Sequence, residues 1–186
     1  VDKIVCIHPG AMGPVNGLDD ILDVAVLLKE EDHLRFVLIG SGREKARLVQ
    51  RLADEAIGNV LILDALPKEQ LVGVLASVDI GLMTVAAMPV LEMNCANKFF
   101  DFLSSGLPIV LNYEGWQARL LAQRNCGVSG PQGDLQAFAE NIRQLAQDAG
   151  LRQTLGANAR ELAETALNRK NVVAGILTAL AKVESP

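Results

Sequence analysis

Apolar residues follow two alternating patterns along the chain. Short aliphatic runs predict β-strands, and segments with apolar residues three and four positions apart predict amphipathic helices. The predicted strands are 3–7, 34–39, 60–63, 80–83, 108–111 and 127–128. The predicted helices are 18–28, 48–56, 67–75, 97–106, 115–123, 135–147, 151–165 and 172–183. We interpret residues 10–16 as a loop and residues 84–96 as an irregular segment.

This alternation predicts one α/β domain over residues 1–186. Repeated β-α units favour a doubly wound parallel sheet, here six-stranded and Rossmann-like, with helices on both faces. Ligands of such sheets bind beyond the carboxyl ends of the strands. The functional residues are therefore expected in the loops that follow the strands.

Composition narrows the function classes. Half of the residues are hydrophobic, the net charge is −5 and the chain has no long run of Lys or Arg, so a nucleic-acid partner is not expected. No apolar run reaches the roughly 20 residues that span a bilayer. Cys6, Cys95 and Cys126 are scattered, which favours a reducing compartment and argues against a disulfide framework or a zinc site.

The first candidate loop lies between strand one and helix one, over residues 8–17. Gly10, Gly13 and Gly17 would let the backbone approach a ligand, and the following helix start offers N–H groups to a phosphate. The alternative is a plain connection in which Asn16 and Gly17 begin the helix. The same alternatives apply to a second loop, Gly40-Ser41-Gly42-Arg43-Glu44. Arg43 either contacts phosphate or ribose or is a solvated residue of the first helical turn.

The third candidate, residues 94–110, is the most specific. We expect Asn97 to cap a helix and Lys98 to be its first residue, where the helix dipole disfavours a cation unless an anion is bound. Asp101 is expected in the first turn. Its carboxylate either suits the dipole alone or accepts hydrogen bonds from two ribose hydroxyls.

The order of these motifs resembles the C-terminal domain of retaining glycosyltransferases of the GT-B fold, in the group numbered family four. The resemblance covers nearly the whole chain, and no single motif in it is specific. The motifs that carry it are 13–17, 36–42, 66–71, 76–82, 97–101, 106–110, 151–152 and 156–160.

The resemblance implies a domain that binds a nucleoside diphosphate sugar, most readily one linked to UDP, without a metal or another cofactor. It implies a hexosyltransferase whose acceptor, a glycan or a polyprenyl-linked sugar, binds a separate N-terminal domain, so that this domain alone is inactive. Lys98 is expected to be catalytic. The expected donor-binding residues are Gly13, Asn16, Gly17, Gly40, Gly42, Arg43, Leu66, Glu92, Asn97 and Asp101.

Two features depart from the family pattern. The basic pair that grips the diphosphate in many relatives falls on Ala11 and Asn16, and the paired glutamates fall on Met93 and Asp101. Whether Glu92 replaces the first glutamate stays open. We interpret Lys98 as the replacement cation.

Lys98 and the segment 112–116 resemble a subgroup that builds bacterial surface polysaccharides such as O-antigen, lipopolysaccharide or capsule. That resemblance implies a cytoplasmic enzyme held at the inner membrane through its other domain. For Trp116, packing on the sugar or on the other domain, or a partly buried place at the start of a helix, remain open. A UDP-sugar epimerase of the same fold and a non-catalytic nucleotide-binding module are the alternative functions.

Overall fold

The computed structural model describes residues 3–183. Its six strands form one all-parallel sheet in the order β3-β2-β1-β4-β5-β6. This confirms the predicted doubly wound, Rossmann-like α/β fold. The strands are β1 (Ile4–Ala11), β2 (Leu34–Ser41), β3 (Val60–Leu63), β4 (Ile80–Met83), β5 (Ile109–Leu111) and β6 (Gly127–Ser129).

Eight helices are described, of which the first seven cover both faces of the sheet and bury the apolar sides that their spacing predicts, whereas the last leaves Val172, Ile176 and Leu177 exposed. The helices are α1 (Leu18–Leu27), α2 (Lys45–Asp54), α3 (Lys68–Leu75), α4 (Asn97–Ser105), α5 (Trp116–Arg124), α6 (Leu135–Gln147), α7 (Ala149–Glu164) and α8 (Arg169–Val183). One core cluster joins the sheet to α1, α2 and α6. The other joins it to α3, α4 and α5, and α7 contributes to both.

β1 is longer than the sequence predicts. Gly10 and Ala11, expected in a loop, continue the strand and pair with Gly40 and Ser41 of β2. Inter-strand pairing therefore overrides the turn propensity of Pro9 and Gly10. At the carboxyl edge of the sheet, β1 and β2 extend beyond the end of the shorter β4.

Candidate functional site

A cavity of about 360 Å³ lies at the carboxyl end of β1, on the edge where ligands of doubly wound sheets bind. Main chain from β1 forms one wall, and α3 and the start of α4 form the others. Its lining residues are Pro9, Gly10, Ala11, Asn16, Leu71, Ala96, Asn97, Lys98 and Asp101. Another cavity of about 370 Å³, around Lys29, Arg35 and Asn59 before β2 and β3, contains none of the predicted site residues.

The start of α4 corrects the sequence analysis. The capping position is held by Ala96, which is extended at φ −84° and ψ 142°, and no side chain caps the helix. Asn97 is therefore the first helical residue and Lys98 the second. Because no side chain occupies the cap, the first-turn N–H groups lack the partner that a capping side chain would give them.

The place of Asp101 also differs from the prediction. It is the fifth residue of α4 and lies outside the first turn, where the structure has no acidic residue. The dipole alone therefore does not account for it, since that effect fades beyond the first turn. Asp101 follows Lys98 by three positions, so both lie on one side of the helix and line the same cavity.

Lys98 is half-buried, and its Nζ lies 2.7 Å from Nε2 of the fully buried His8. Burial lowers the pKa of Lys98 from 10.5 to about 8. Among the described residues no carboxylate forms an ion pair with it. The cavity thus holds a cation whose charge is not neutralised by the protein.

The carboxylate of Asp101 forms one weak ion pair. Its Oδ1 lies 3.4 Å from Nζ of Lys68, whose side chain is 73% exposed. Exposed ion pairs of this kind stabilise a fold by roughly 0–1 kcal/mol, so the carboxylate can exchange this partner for a ligand hydroxyl.

The first loop is hydrogen-bonded to the segment after β4. The Asn16 carbonyl accepts a hydrogen bond from the Thr84 hydroxyl at 2.6 Å. Gly17 is left-handed at φ 56°, and a Cβ there would overlap the Val85 carbonyl. The buried Asn112 side chain bonds both the N–H and the carbonyl of Val85 and donates to Asp20.

Several predicted donor-binding residues do not line the cavity. The Gly13 carbonyl accepts a hydrogen bond from the Asn16 N–H. A Cβ at Gly40 would overlap the Gly10 carbonyl, and a Cβ at Gly42 would overlap the Met12 carbonyl. The Arg43 side chain is 77% exposed. Leu66 packs partly buried against the core.

Glu92 lies elsewhere. It lines a separate cavity of about 320 Å³ with Met93, Trp116 and Arg119. The Trp116 indole donates to the Asn94 carbonyl at 2.9 Å and packs edge-on against Phe99. Trp116 therefore anchors the irregular segment to α4 in this structure.

His8 contacts the candidate site through Lys98, and the sequence analysis did not single it out. It was placed in the first loop, but it lies inside β1 with no exposed surface. The available signal was a polar residue directly after an aliphatic strand run. Its contact with Lys98, 90 positions later, could not be read from spacing.

No group of His, Cys, Asp and Glu side chains within residues 3–183 is arranged to hold a metal ion. No helix in that range is long and apolar enough to cross a membrane.

Three solved structures with this fold come from longer chains. TarM from S. aureus, in complex with UDP and saccharide ligands, superposes with a TM-score of 0.79 at 16% identity, covering 95% of this chain and 35% of that protein. HepE from Anabaena, in complex with UDP, gives 0.81 at 19% identity, with 97% and 49% covered. WaaG, a glycosyltransferase of lipopolysaccharide biosynthesis, gives 0.69 at 19%, with 88% and 43% covered. This chain spans less than half the length of each.

At these identities the superpositions show a shared fold. A search of curated protein sequences finds no match. The family comparison is more specific, because the model of the group 1 glycosyl transferases matches residues 3–148, which include all six strands and the whole candidate cavity. The chain belongs to the group 1 glycosyl transferase family.

Proposed function

We propose that this domain binds the nucleoside diphosphate part of a sugar nucleotide, most readily UDP-linked, in the cavity at the end of β1. The observation that carries the proposal is the Lys98 ammonium, which has no carboxylate partner among the described residues and lies beside the uncapped start of α4. A diphosphate would receive hydrogen bonds from both, and Asp101 would accept those of the ribose hydroxyls.

The proposed reaction is transfer of the sugar from the bound nucleotide to an acceptor. Transfer of the sugar releases a nucleoside diphosphate, and negative charge grows on the leaving oxygen in the transition state. A preorganised ammonium and main-chain N–H groups stabilise that charge, which gives Lys98 its catalytic role. We infer hexosyl transfer with retention to a lipid-linked or saccharide acceptor of a surface polysaccharide. The family membership and the common fold with WaaG support this assignment.

The cavity does not favour the epimerase alternative. That chemistry needs acid–base carboxylates around the sugar, and Asp101 is the one carboxylate that lines the cavity among the described residues. Glu92, the other candidate, lines a different cavity.

The first prediction concerns the chain as it stands. UDP at about 100 times its dissociation constant should stabilise residues 1–186 by about 2.7 kcal/mol, which corresponds to a rise in Tm of roughly 5–10 °C. GDP and dTDP at the same concentration provide the comparison. Sugar transfer from a UDP-sugar to a saccharide or polyprenyl-linked acceptor should be undetectable, because the acceptor site is expected on another domain. Turnover by this chain alone, or no stabilisation by any of the three nucleotides, would contradict the proposal.

The second prediction concerns Asp101. Asp101→Asn should weaken UDP binding about 5–30-fold, because an amide accepts fewer hydroxyl hydrogen bonds than a carboxylate and lacks its charge. The loss should be smaller for 2′-deoxy-UDP, which lacks one of the two hydroxyls. Calorimetric titration of both ligands measures the difference.

Lys68→Met is the matched control for Asp101→Asn. It breaks the same ion pair but leaves the carboxylate in place. UDP affinity should hold or rise slightly in this variant, and the stability of both variants should change by less than about 1 kcal/mol. Equal losses in the two variants would assign the effect to the ion pair and not to ribose binding.

A further inference from the structure

His8 and Lys98 form a polar pair inside the carboxyl end of the sheet. His8 has no exposed surface, and its Nε2 lies 2.7 Å from the Lys98 Nζ across 90 positions of sequence. The other ring nitrogen, Nδ1, forms no hydrogen bond of normal geometry. Burying a polar ring costs free energy unless it is hydrogen-bonded, and the contact with Lys98 supplies a partner for Nε2 only.

The chemistry of the pair fixes the proton on the ring. An ammonium group can only donate, so Nε2 must accept and the ring proton must sit on Nδ1. Burial and the Lys98 charge hold the pKa of His8 well below its usual value, while the Leu82 carbonyl acts in the opposite direction. His8 is therefore a neutral acceptor for a charged donor.

A neutral acceptor orients a cation without cancelling its charge. The charged groups that share the cavity are Lys98 and Asp101, and Asp101 faces Lys68 of α3. A carboxylate at position 8 would instead form a buried ion pair with Lys98 and reduce its attraction for an anion. Histidine holds the ammonium in place and leaves its charge available.

The end of the Lys98 side chain lies against Gly10. A Cβ built there would lie 3.5 Å from the Lys98 Cε and 3.6 Å from its Nζ, so the end of the lysine side chain passes over the Gly10 backbone. The ammonium thus lies between the buried ring of His8 and the cavity.

We propose that His8 is a positioning residue, which holds the Lys98 ammonium over Gly10 so that it faces the diphosphate of the ligand and stays off Asp101. This inference rests on the proposed function. Lys98 touches the ligand, and His8 acts only through Lys98.

The first test needs neither a variant nor a ligand. The ¹⁵N chemical shifts of His8 in the apo protein should show an unprotonated Nε2 and a protonated Nδ1 from pH 6 to 7.5. A protonated Nε2 would overturn the proposal.

The second test uses His8→Leu, which keeps a similar volume but removes the acceptor, and His8→Gln, which keeps a neutral acceptor. His8→Leu should weaken UDP binding about 3–10-fold at pH 7, less than loss of the ammonium itself would, because the charge remains and only the hydrogen bond that orients it is removed. Without the acceptor the charged form of Lys98 is less favoured, so the pH at which UDP affinity falls should move lower. His8→Gln should restore both properties in part.

The readouts separate this inference from the proposed function. Titration of the Lys98 side chain by NMR in the apo protein reports the pair without nucleotide, and its pKa should fall in His8→Leu. If the wild type does not bind UDP, the proposed function fails whatever the state of the pair. If the wild type binds UDP but His8→Leu leaves affinity, pH profile and Lys98 titration unchanged, His8 only fills space and the positioning role is wrong.

Discussion

Replacing Lys98 with methionine is expected to weaken UDP binding by about 10–150-fold, the equivalent of about 1.5–3 kcal/mol for a hydrogen bond to a charged group. The ammonium has no carboxylate partner among the described residues, so a bound diphosphate gains its full attraction. Methionine keeps a long unbranched side chain and removes the charge. Calorimetry at fixed ionic strength measures the change.

The same substitution is expected to stabilise the ligand-free protein at pH 7 by less than about 3 kcal/mol, because the gain from no longer burying an ammonium is partly offset by leaving the buried His8 ring without its donor. Burial lowers the pKa of Lys98 from 10.5 to about 8, and the upper limit is the free-energy equivalent of that difference. The full stabilisation by Lys98→Met should be observed below pH 8. Between about pH 8 and 10.5 the unfolded chain binds more protons than the folded one, so the stability of the wild type rises with pH and the advantage of Lys98→Met fades.

Lys29→Met is the matched control for Lys98→Met. Lys29 follows α1 at the amino edge of the sheet, and its side chain is 69% exposed. This variant should change neither UDP affinity nor stability by more than about 0.5 kcal/mol. If Lys98→Met bound UDP as tightly as Lys29→Met, the diphosphate would lie elsewhere.

The sheet was predictable because its signal is local. Parallel strands buried on both faces are continuous aliphatic runs, and the helices between them keep their apolar spacing. The errors in the prediction concern the first and last residues of helices and strands. Asn is a preferred cap, yet α4 begins one residue earlier than Asn97 predicts, after an extended Ala96. Gly10 belongs to β1 because β2 supplies pairing partners that the local sequence does not reveal.

The site was predictable only in part. The motif of α4 directed attention to Lys98 and Asp101, which line one cavity with Asn16 and Asn97. The partners that hold this region are remote in sequence. Asn112 reaches Asp20 across 92 positions, and His8 reaches Lys98 across 90. No periodicity encodes such contacts, because they depend on how strands β1, β4 and β5 are ordered.

Gly40→Ala is the second variant for which we expect a large effect, and it tests whether Gly40 contacts the donor or only packs against β1. The sequence analysis assigned it to the ligand, but it pairs with Gly10 at the ends of β2 and β1, where a Cβ would overlap the Gly10 carbonyl oxygen. Because that atom belongs to the backbone of a central strand, it cannot move aside as a flexible side chain would. Gly40→Ala should therefore cost about 3 kcal/mol or more in the free energy of unfolding, at the upper end of overpacking effects.

Gly73→Ala is the matched control for Gly40→Ala. Gly73 lies inside α3, and nothing stands within 4 Å of a Cβ built there. The same chemical change should stabilise the protein by about 0.5–1 kcal/mol, because alanine is the better helix former. Urea unfolding of the two variants measures changes of opposite sign.

UDP titration of Gly40→Ala in the stabilised Gly73→Ala background then separates packing from ligand contact. The methyl group strains the backbone at Gly10, and Lys98 lies over Gly10, so affinity should fall several-fold together with stability. If Gly40 contacted the phosphates directly, affinity would fall while stability stayed normal. That pattern would show that Gly40 contacts the ligand. A coupled loss of stability and affinity, which we expect, would show that Gly40 acts by fixing the position of the Gly10 backbone beneath Lys98.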